Sequence, residues 1–357
     1  MTDTAPAATP PAIETSAPSA APGRLTGVRG RVFSSTSPVW IFLVLLVISA
    51  VFSGVKPQQF LSSFDIRSIF INASVDLVMA VGMTFVIITA GIDLSVGSVL
   101  VLSGVVAIKT MDLMSPRGSA LGAGWGVITL GLLAGMAAGL VWGFLQGVIV
   151  ARAKVPPFIV TLGGFGAALG LAQVFTNGVD ASDVPTRLGN SIGNGSVGPF
   201  PWMVVIAVVV ALLGGLVLNT TRFGRYTFAV GSNIEGARRT GIDVNTHLIK
   251  VYALMGLLSG LAGDLSLAHF TTTTLASHNN DNLTVITAVI LGGTSLFGGV
   301  GSMFGTVVGT LIPVVLDAGL VIVGVQTFWQ GVAVGVVLVL AVYADQLRRR
   351  GGSRRGG

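Results

Sequence analysis

The sequence predicts an all-α, polytopic membrane protein of about ten transmembrane helices, with a glycine-broken helix in each half. Three observations predict it. Of 357 residues, 52% are hydrophobic and only 10% are charged, against roughly 25% charged in a soluble domain. Apolar runs of about 20 residues, the length that spans a bilayer as a helix, recur along most of the chain. Fifty glycines fit the same class, because membrane helices carry more glycine than soluble ones.

The elements follow in order. Residues 1–37, beginning MTDTAPAATPPAIETSAPSAAPG, hold too few large apolar side chains to offset the entropy of ordering. They are expected to form a disordered cytoplasmic tail. They do not read as a signal peptide, since no apolar core follows a short basic start. A transmembrane domain is expected over 38–345, with spans near 38–55, 69–91, 94–111, 122–150, 157–176, 200–219, 247–268, 283–295, 298–321 and 325–344. The eighth is too short to cross alone as a straight helix. A cytoplasmic loop occupies 220–246, and a basic cytoplasmic tail 346–357.

Ten spans place both termini on one side. With the termini inside, 15 of the 20 Lys and Arg residues fall on inner segments and five (Lys56, Arg67, Lys109, Arg117 and Arg187) on outer ones. The excess marks the cytoplasmic face. The same dispersal over separate segments argues against nucleic acid as a partner. Trp40, Trp125 and Trp202 fall near span ends, where membrane-interface anchoring explains them. Gly131, Gly135, Gly139, Gly143 and Gly147 recur every fourth residue, and Gly301, Gly305 and Gly309 do the same later. Such stripes let helix backbones approach closely in lipid, and packing within one domain is the expected use.

The chain has no cysteine, which excludes disulfides, thiolate metal sites and a cysteine nucleophile. Its three histidines, His247, His269 and His278, are too scattered for a metal site.

Asp93 raises the sharpest question, because it lies in the apolar stretch ITAGIDLSVGSVLVLSG. An ionised side chain within a span costs a few kcal/mol and needs a partner or a task. Setting AVGMTFVIITAGIDLSVG (80–97) above NLTVITAVILGGTSLFGG (282–299), at an offset of 202, puts Gly293 under Gly91, Ser295 under Asp93 and Gly299 under Gly97. Each half then reads as an apolar run, a glycine suited to a left-handed helix end, a capping residue, and a second run. Asp93 is expected to cap the restarted helix, accepting from the amides of Ser95 and Val96. Thr294 and Ser295 are expected to cap neutrally in the second half. Matched Gly-interrupted segments in two halves point to a transport pathway, here Gly91, Asp93, Ser95, Gly97, Gly292, Gly293, Thr294, Ser295, Gly298 and Gly299. Parallel and inverted halves are equally compatible with the pattern.

GMTFVIITAGIDLSVGS, PPFIVTLG, FGRYTFAVGSNIEGARRTGI and AVILGGTSLFGGVGSMFGTVVGTL resemble the permease subunits of ATP-binding-cassette (ABC) sugar importers of the ribose/xylose/galactose type, over about residues 40–345. The resemblance implies a channel-forming subunit with no enzymatic activity or cofactor of its own. ATP would be used by a cytoplasmic ATPase partner, an extracytoplasmic binding protein would deliver the sugar, and a second permease copy or paralogue would complete the path. None of Lys56, Lys109, Lys154 or Lys250 follows a glycine, so the chain shows no phosphate-binding P-loop.

In 222–244, Asn233 or Ser232 can cap a short helix, with Glu235 in its first turn, Arg238 and Arg239 toward its end, and Gly241 stopping it. That charge order suits the helix dipole. The resemblance implies that this is the coupling helix docking on the ATPase, with Gly224, Arg225, Gly231 and Ala237 in the same segment. Departures from the family pattern are Ala90 for glycine, Asn282 for glutamate, and Asp264 and Asp317. The polar loop His278, Asn279, Asn280 and Asp281 is expected near the outer mouth, as a solvated loop or as a determinant of binding-protein docking or solute choice. The alternatives are an ion-coupled carrier using Asp76, Asp93 and Asp264, a permease for another solute such as a branched-chain amino acid, and a membrane scaffold.

Overall fold

The computed structural model describes residues 38–115, 118–276, 278 and 280–326, with scattered positions from 328 to 343. Both expected tails, and Asn279, lie outside the described residues, and the tenth expected span is described only at intervals. The helices are α1 Pro38–Val55, α2 Ser63–Ile88, α3 Val96–Met114, α4 Trp125–Arg152, α5 Pro157–Thr176, α6 Trp202–Thr220, α7 Arg222–Ser232, α8 Ile234–Arg239, α9 Val244–Phe270, α10 Asp281–Leu291 and α11 Met303–Ile322. Seven of them (α2–α6, α9 and α11) are long and apolar enough to cross a membrane. The remaining regular structure is a helical turn at Pro57–Phe60, turns over Thr186–Gly193 and a two-residue hairpin at Ser196–Pro201. The polytopic all-α expectation holds.

α2 is the axis of the domain. From Val75 to Ile88 its side chains are almost all buried, Val78, Met79, Ala80 and Met83 completely. It packs on α6, α9 and α11. A segment apolar almost all round, as residues 77–88 are, belongs in such a position. α4, α5 and α6 instead turn Leu133, Phe144, Ile159, Val174, Leu212 and Leu216 outward, as lipid-facing helices do.

The glycine stripe of α4 is divided between two neighbours. Gly139, Gly143 and Gly147 meet α9 at Gly256, Gly260 and Ile249, backbone on backbone, while Gly131 meets α3 at Met111 and Ala107. In α11, Gly305 and Gly309 lie on Gly292 and Ala288 of the α10 end. Both stripes therefore serve packing within one chain.

The short eighth span is a half-helix, α10, reached from α9 through an irregular segment with a single antiparallel bridge between Thr273 and Ala181. Thr273 lies against Gly104 and the His278 carbonyl against Gly97, so five residues descend along seven residues of α3. That is about 10 Å of helix rise, too much for five helical residues. The descending backbone is paired rather than bare: Ala181 and Thr273 exchange backbone bonds, and the Leu275 amide donates to Asp180 Oδ1 at 2.9 Å. Non-helical chain at membrane depth needs such cover.

Candidate functional site

The two breaks are built by different residues than the sequence pattern suggested. At the end of α2 the left-handed residue is Ala90 (φ 60°), and the Gly91 amide closes the turn on the Val86 carbonyl at 3.0 Å. At the end of α10 the left-handed residue is Gly293 (φ 88°), and the Thr294 amide closes on Val289 at 3.2 Å. Ala90 therefore corresponds to Gly293, an offset of 203 rather than 202. Gly91 is a glycine for another reason: a side chain there would strike the Tyr252 hydroxyl.

An alanine in the left-handed region costs about 1 kcal/mol relative to glycine. Ala90→Gly should accordingly raise the thermal midpoint of the detergent-solubilised protein by a few degrees. No rise, or a fall, would contradict the assigned backbone.

Beyond the turns the halves diverge. Residues 89–95 join α2 to α3, whereas the longer 292–302 joins α10 to α11. Asp93 is buried, and its Oδ1 accepts from the Ser95 amide at 2.8 Å and the Ser95 hydroxyl at 2.7 Å. No bond to Val96 forms, because the helix starts one residue beyond Ser95; Asp93 shapes the approach turn instead of capping the helix itself. Gln146 Nε2 of α4 donates to Ser95 Oγ at 2.9 Å, Thr161 Oγ1 of α5 to the Ile92 carbonyl at 3.2 Å, and Asn282 Nδ2 of α10 to the Leu94 carbonyl at 3.1 Å. Each polar group donated to the loop answers the need of an irregular backbone that has left water.

In the second half Ser302, not Thr294 or Ser295, caps the restarted helix by accepting from the Gly305 amide at 3.3 Å. Ser295 instead shapes a small loop, donating its amide to the Val300 carbonyl at 3.0 Å. Gly298 and Gly299 hold that loop at φ 81° and 73°.

The two breaks touch. The Gly299 amide donates to the Ile88 carbonyl, the end of α2, at 2.9 Å. Gly231 of α7 is seated on this junction, leaving no room for a side chain against the Ile88 carbonyl and the Gly299 amide, and Ser232 lies against Gly299.

α7 is amphipathic: Phe223, Thr227 and Val230 turn inward while Arg222, Arg225 and Tyr226 stay exposed. Thr227 Oγ1 bonds His247 Nε2 at 3.0 Å, and Phe223 lies 5.6 Å from Phe85 between ring centres. Gly224 sits on the Leu218 carbonyl at the α6–α7 corner, and Arg225 Nη1 reaches the Thr220 carbonyl at 3.1 Å.

α8 matches the sequence reading. Asn233 caps it by accepting from the Gly236 amide at 2.8 Å, Glu235 pairs with Arg238 at 2.9 Å, Ala237 is buried, and Gly241 turns away at φ 84°. Ile234, Glu235, Arg238 and Arg239 are exposed. Asp243 then caps α9, and its bonds from the Thr246 hydroxyl and amide hold its carboxyl below the ordinary aspartate range. A cavity of about 270 Å³ separates α8 from the first break, lined by Ile234 and Arg238 on one side and Thr89, Gly91 and Tyr252 on the other.

Of the carboxylates weighed for a carrier, Asp93 is occupied as described, and Asp264 is buried among α3, α4 and α9 with neither oxygen bonded. Asp76 borders two cavities. The sequence reading also missed the face that carries it: Asp65, Ser68, Asn72 and Asp76 recur at helical spacing on α2, a signal available in the letters alone.

The family model described as the permease component of the branched-chain amino acid transport system matches residues 66–342. The chain belongs to this permease family. The permease is 38% identical over 310 residues to the ribose import permease of Escherichia coli strain K12, covering 86% of this chain and 93% of that one. It is 34% identical over 334 residues to the fructose import permease of Rhizobium meliloti, covering 89% and 88%. With the xylose transport system permease of Haemophilus influenzae it shares 31% over 378 residues, covering 87% and 97%. No solved structure matches. The permease is a multi-pass membrane protein, and the resemblance read from the four quoted segments is borne out.

Proposed function

We propose that this permease is the channel-forming subunit of an ATP-driven importer for a monosaccharide, working by alternating access. The relatives named for ribose, fructose and xylose transport support the solute class. The observation that carries the mechanism is the seat of Gly231 on the bond between Gly299 and Ile88. α8 docks on a cytoplasmic ATPase, α7 transmits its displacement, and the junction of the two breaks receives it. Half-helices beside a shared junction can change their exposure together while the packed glycine seams stay fixed.

Both termini are cytoplasmic, in keeping with the excess of Lys and Arg on the inner segments. A binding protein delivers the sugar at the opposite face, and a second permease copy or paralogue completes the path. The chain itself performs no covalent chemistry.

Arg239 tests the docking surface without touching the fold, because among the described residues its exposed side chain makes no ion pair. Arg239→Glu should weaken co-purification with the ATPase by roughly tenfold, about 1.4 kcal/mol, and steepen its salt dependence. Unchanged association would place the ATPase elsewhere.

A further inference from the structure

The polar face of α2 takes no part in the breaks or the cytoplasmic link. Asp65, Ser68, Asn72 and Asp76 lie three, four and four residues apart in a helix that is otherwise largely apolar, and so share one face. That face borders two adjoining cavities, of about 410 and 350 Å³, which have Asn72 and Asp76 in common. The larger is also bordered by Phe270 at the end of α9, Thr272 and His278 in the segment that follows, and Asp281 at the start of α10. Its size falls within the range of small-molecule sites, roughly 300–1,000 Å³.

Its chemistry is divided into fixed and free groups. His278 is held at both nitrogens, Nδ1 on Asp281 Oδ2 and Nε2 on Ser266 Oγ. The Asp76 carboxylate and the Asn72 amide make no bond to the described residues, and the Phe270 ring is 51% exposed. Intramembrane carboxylates commonly face a water-filled cavity and mark a substrate path; Asp76 borders such a cavity, whereas Asp264 is enclosed by packed helices.

We propose that this cavity is a subsite for a neutral polyol of monosaccharide size, an assignment that rests on the importer reading and names the place where the permease holds its solute. Sugar hydroxyls donate to Asp76 and to the Asn72 carbonyl, the Asn72 NH₂ donates to a sugar oxygen, and Phe270 covers an apolar face of the ring. Two other solute classes fit less well. An amino acid brings a carboxylate, yet no Lys or Arg lines either cavity. A metal ion needs converging ligands, and among the described residues no three His, Asp or Glu side chains form such a group.

The absence of cysteine makes the test direct. Asn72→Cys is introduced into the full transporter, co-produced with its ATPase and binding protein, and labelled from outside with a membrane-impermeant methanethiosulfonate. D-ribose, D-fructose, D-xylose and L-leucine are the probes. The sugar that wild-type protein imports should slow labelling roughly tenfold at about ten times its half-saturation concentration, by mass action, and L-leucine should not. Adding Asp76→Asn to the Asn72→Cys protein should remove the protection by that sugar while leaving the labelling rate without sugar unchanged, a readout that a general loss of folded protein would not give. Equal labelling with and without the imported sugar, no labelling of a transport-competent variant, or full protection retained with Asp76→Asn would each overturn the subsite. If wild-type protein imports none of the sugars, the importer reading fails instead.

Discussion

Replacing Gly231 by valine should abolish sugar uptake while the chain still inserts in the membrane. An added side chain at 231 meets the Ile88 carbonyl and the Gly299 amide, the two groups whose 2.9 Å bond ties the breaks together. Neither neighbour is a flexible side-chain end, so the clash is relieved only by lifting α7 off the junction or by breaking the bond. Overpacking of this kind costs about 1–3 kcal/mol, and here it falls on the junction that α7 makes with the breaks. Uptake should drop at least about tenfold with similar amounts of protein in immunoblots of the membrane fraction. Gly166→Ala in α5, where an added Cβ meets nothing within 4 Å, should leave both unchanged. Normal uptake in Gly231→Val would mean that α7 does not transmit motion to the breaks.

Gly143→Leu should act on the fold rather than on coupling. Gly143 faces the Tyr252 carbonyl and the backbone of Gly256, and its neighbours Gly139 and Gly147 also lie against the α9 backbone. Helix association in lipid depends on such contact, because lipid tails are as apolar as leucine and supply no solvent-exclusion force between helices. A leucine at 143 separates α4 from α9 and opens both faces of the contact. The expected result is loss of the monodisperse peak in size-exclusion chromatography after solubilisation. A well-folded Gly143→Leu protein would show that the seam tolerates separation.

The spans were largely legible because their signal is long and redundant. α5 occupies the expected 157–176, and α6 and α9 fall within a few residues of 200–219 and 247–268. The short helix α8 was equally legible, because Asn233, Glu235, Arg238 and Gly241 each carry a local preference that needs no tertiary contact.

The breaks were legible in place but not in register. A glycine in a sequence does not announce whether it is there for backbone conformation or for close approach. Gly91 proved to be the second kind, beside Tyr252, while Ala90 took the left-handed position without the residue that usually signals it. Likewise the cap of α11 passed to Ser302, because the longer 292–302 loop inserts residues that an ungapped comparison cannot see. The irregular segment around Thr273 was invisible for a related reason. Its polar backbone is satisfied by Asp180 and Ala181, nearly a hundred residues away, and no local pattern encodes a distant partner. The α2 polar face is local in its spacing, but four polar residues spread over twelve positions are masked by the apolar content of the span around them.

An ATPase on the cytoplasmic side is the proposed driver of the permease. The most direct test is uptake of labelled D-ribose, D-fructose and D-xylose into cells with and without this gene, repeated with arsenate to deplete ATP and with an uncoupler to collapse the proton gradient. The account predicts that deletion abolishes import of one of these sugars, and that the import is lost with ATP and survives the uncoupler. Import that follows the proton gradient while ATP is maintained would contradict it and make Asp76, Asp93 and Asp264 the residues to examine as proton carriers.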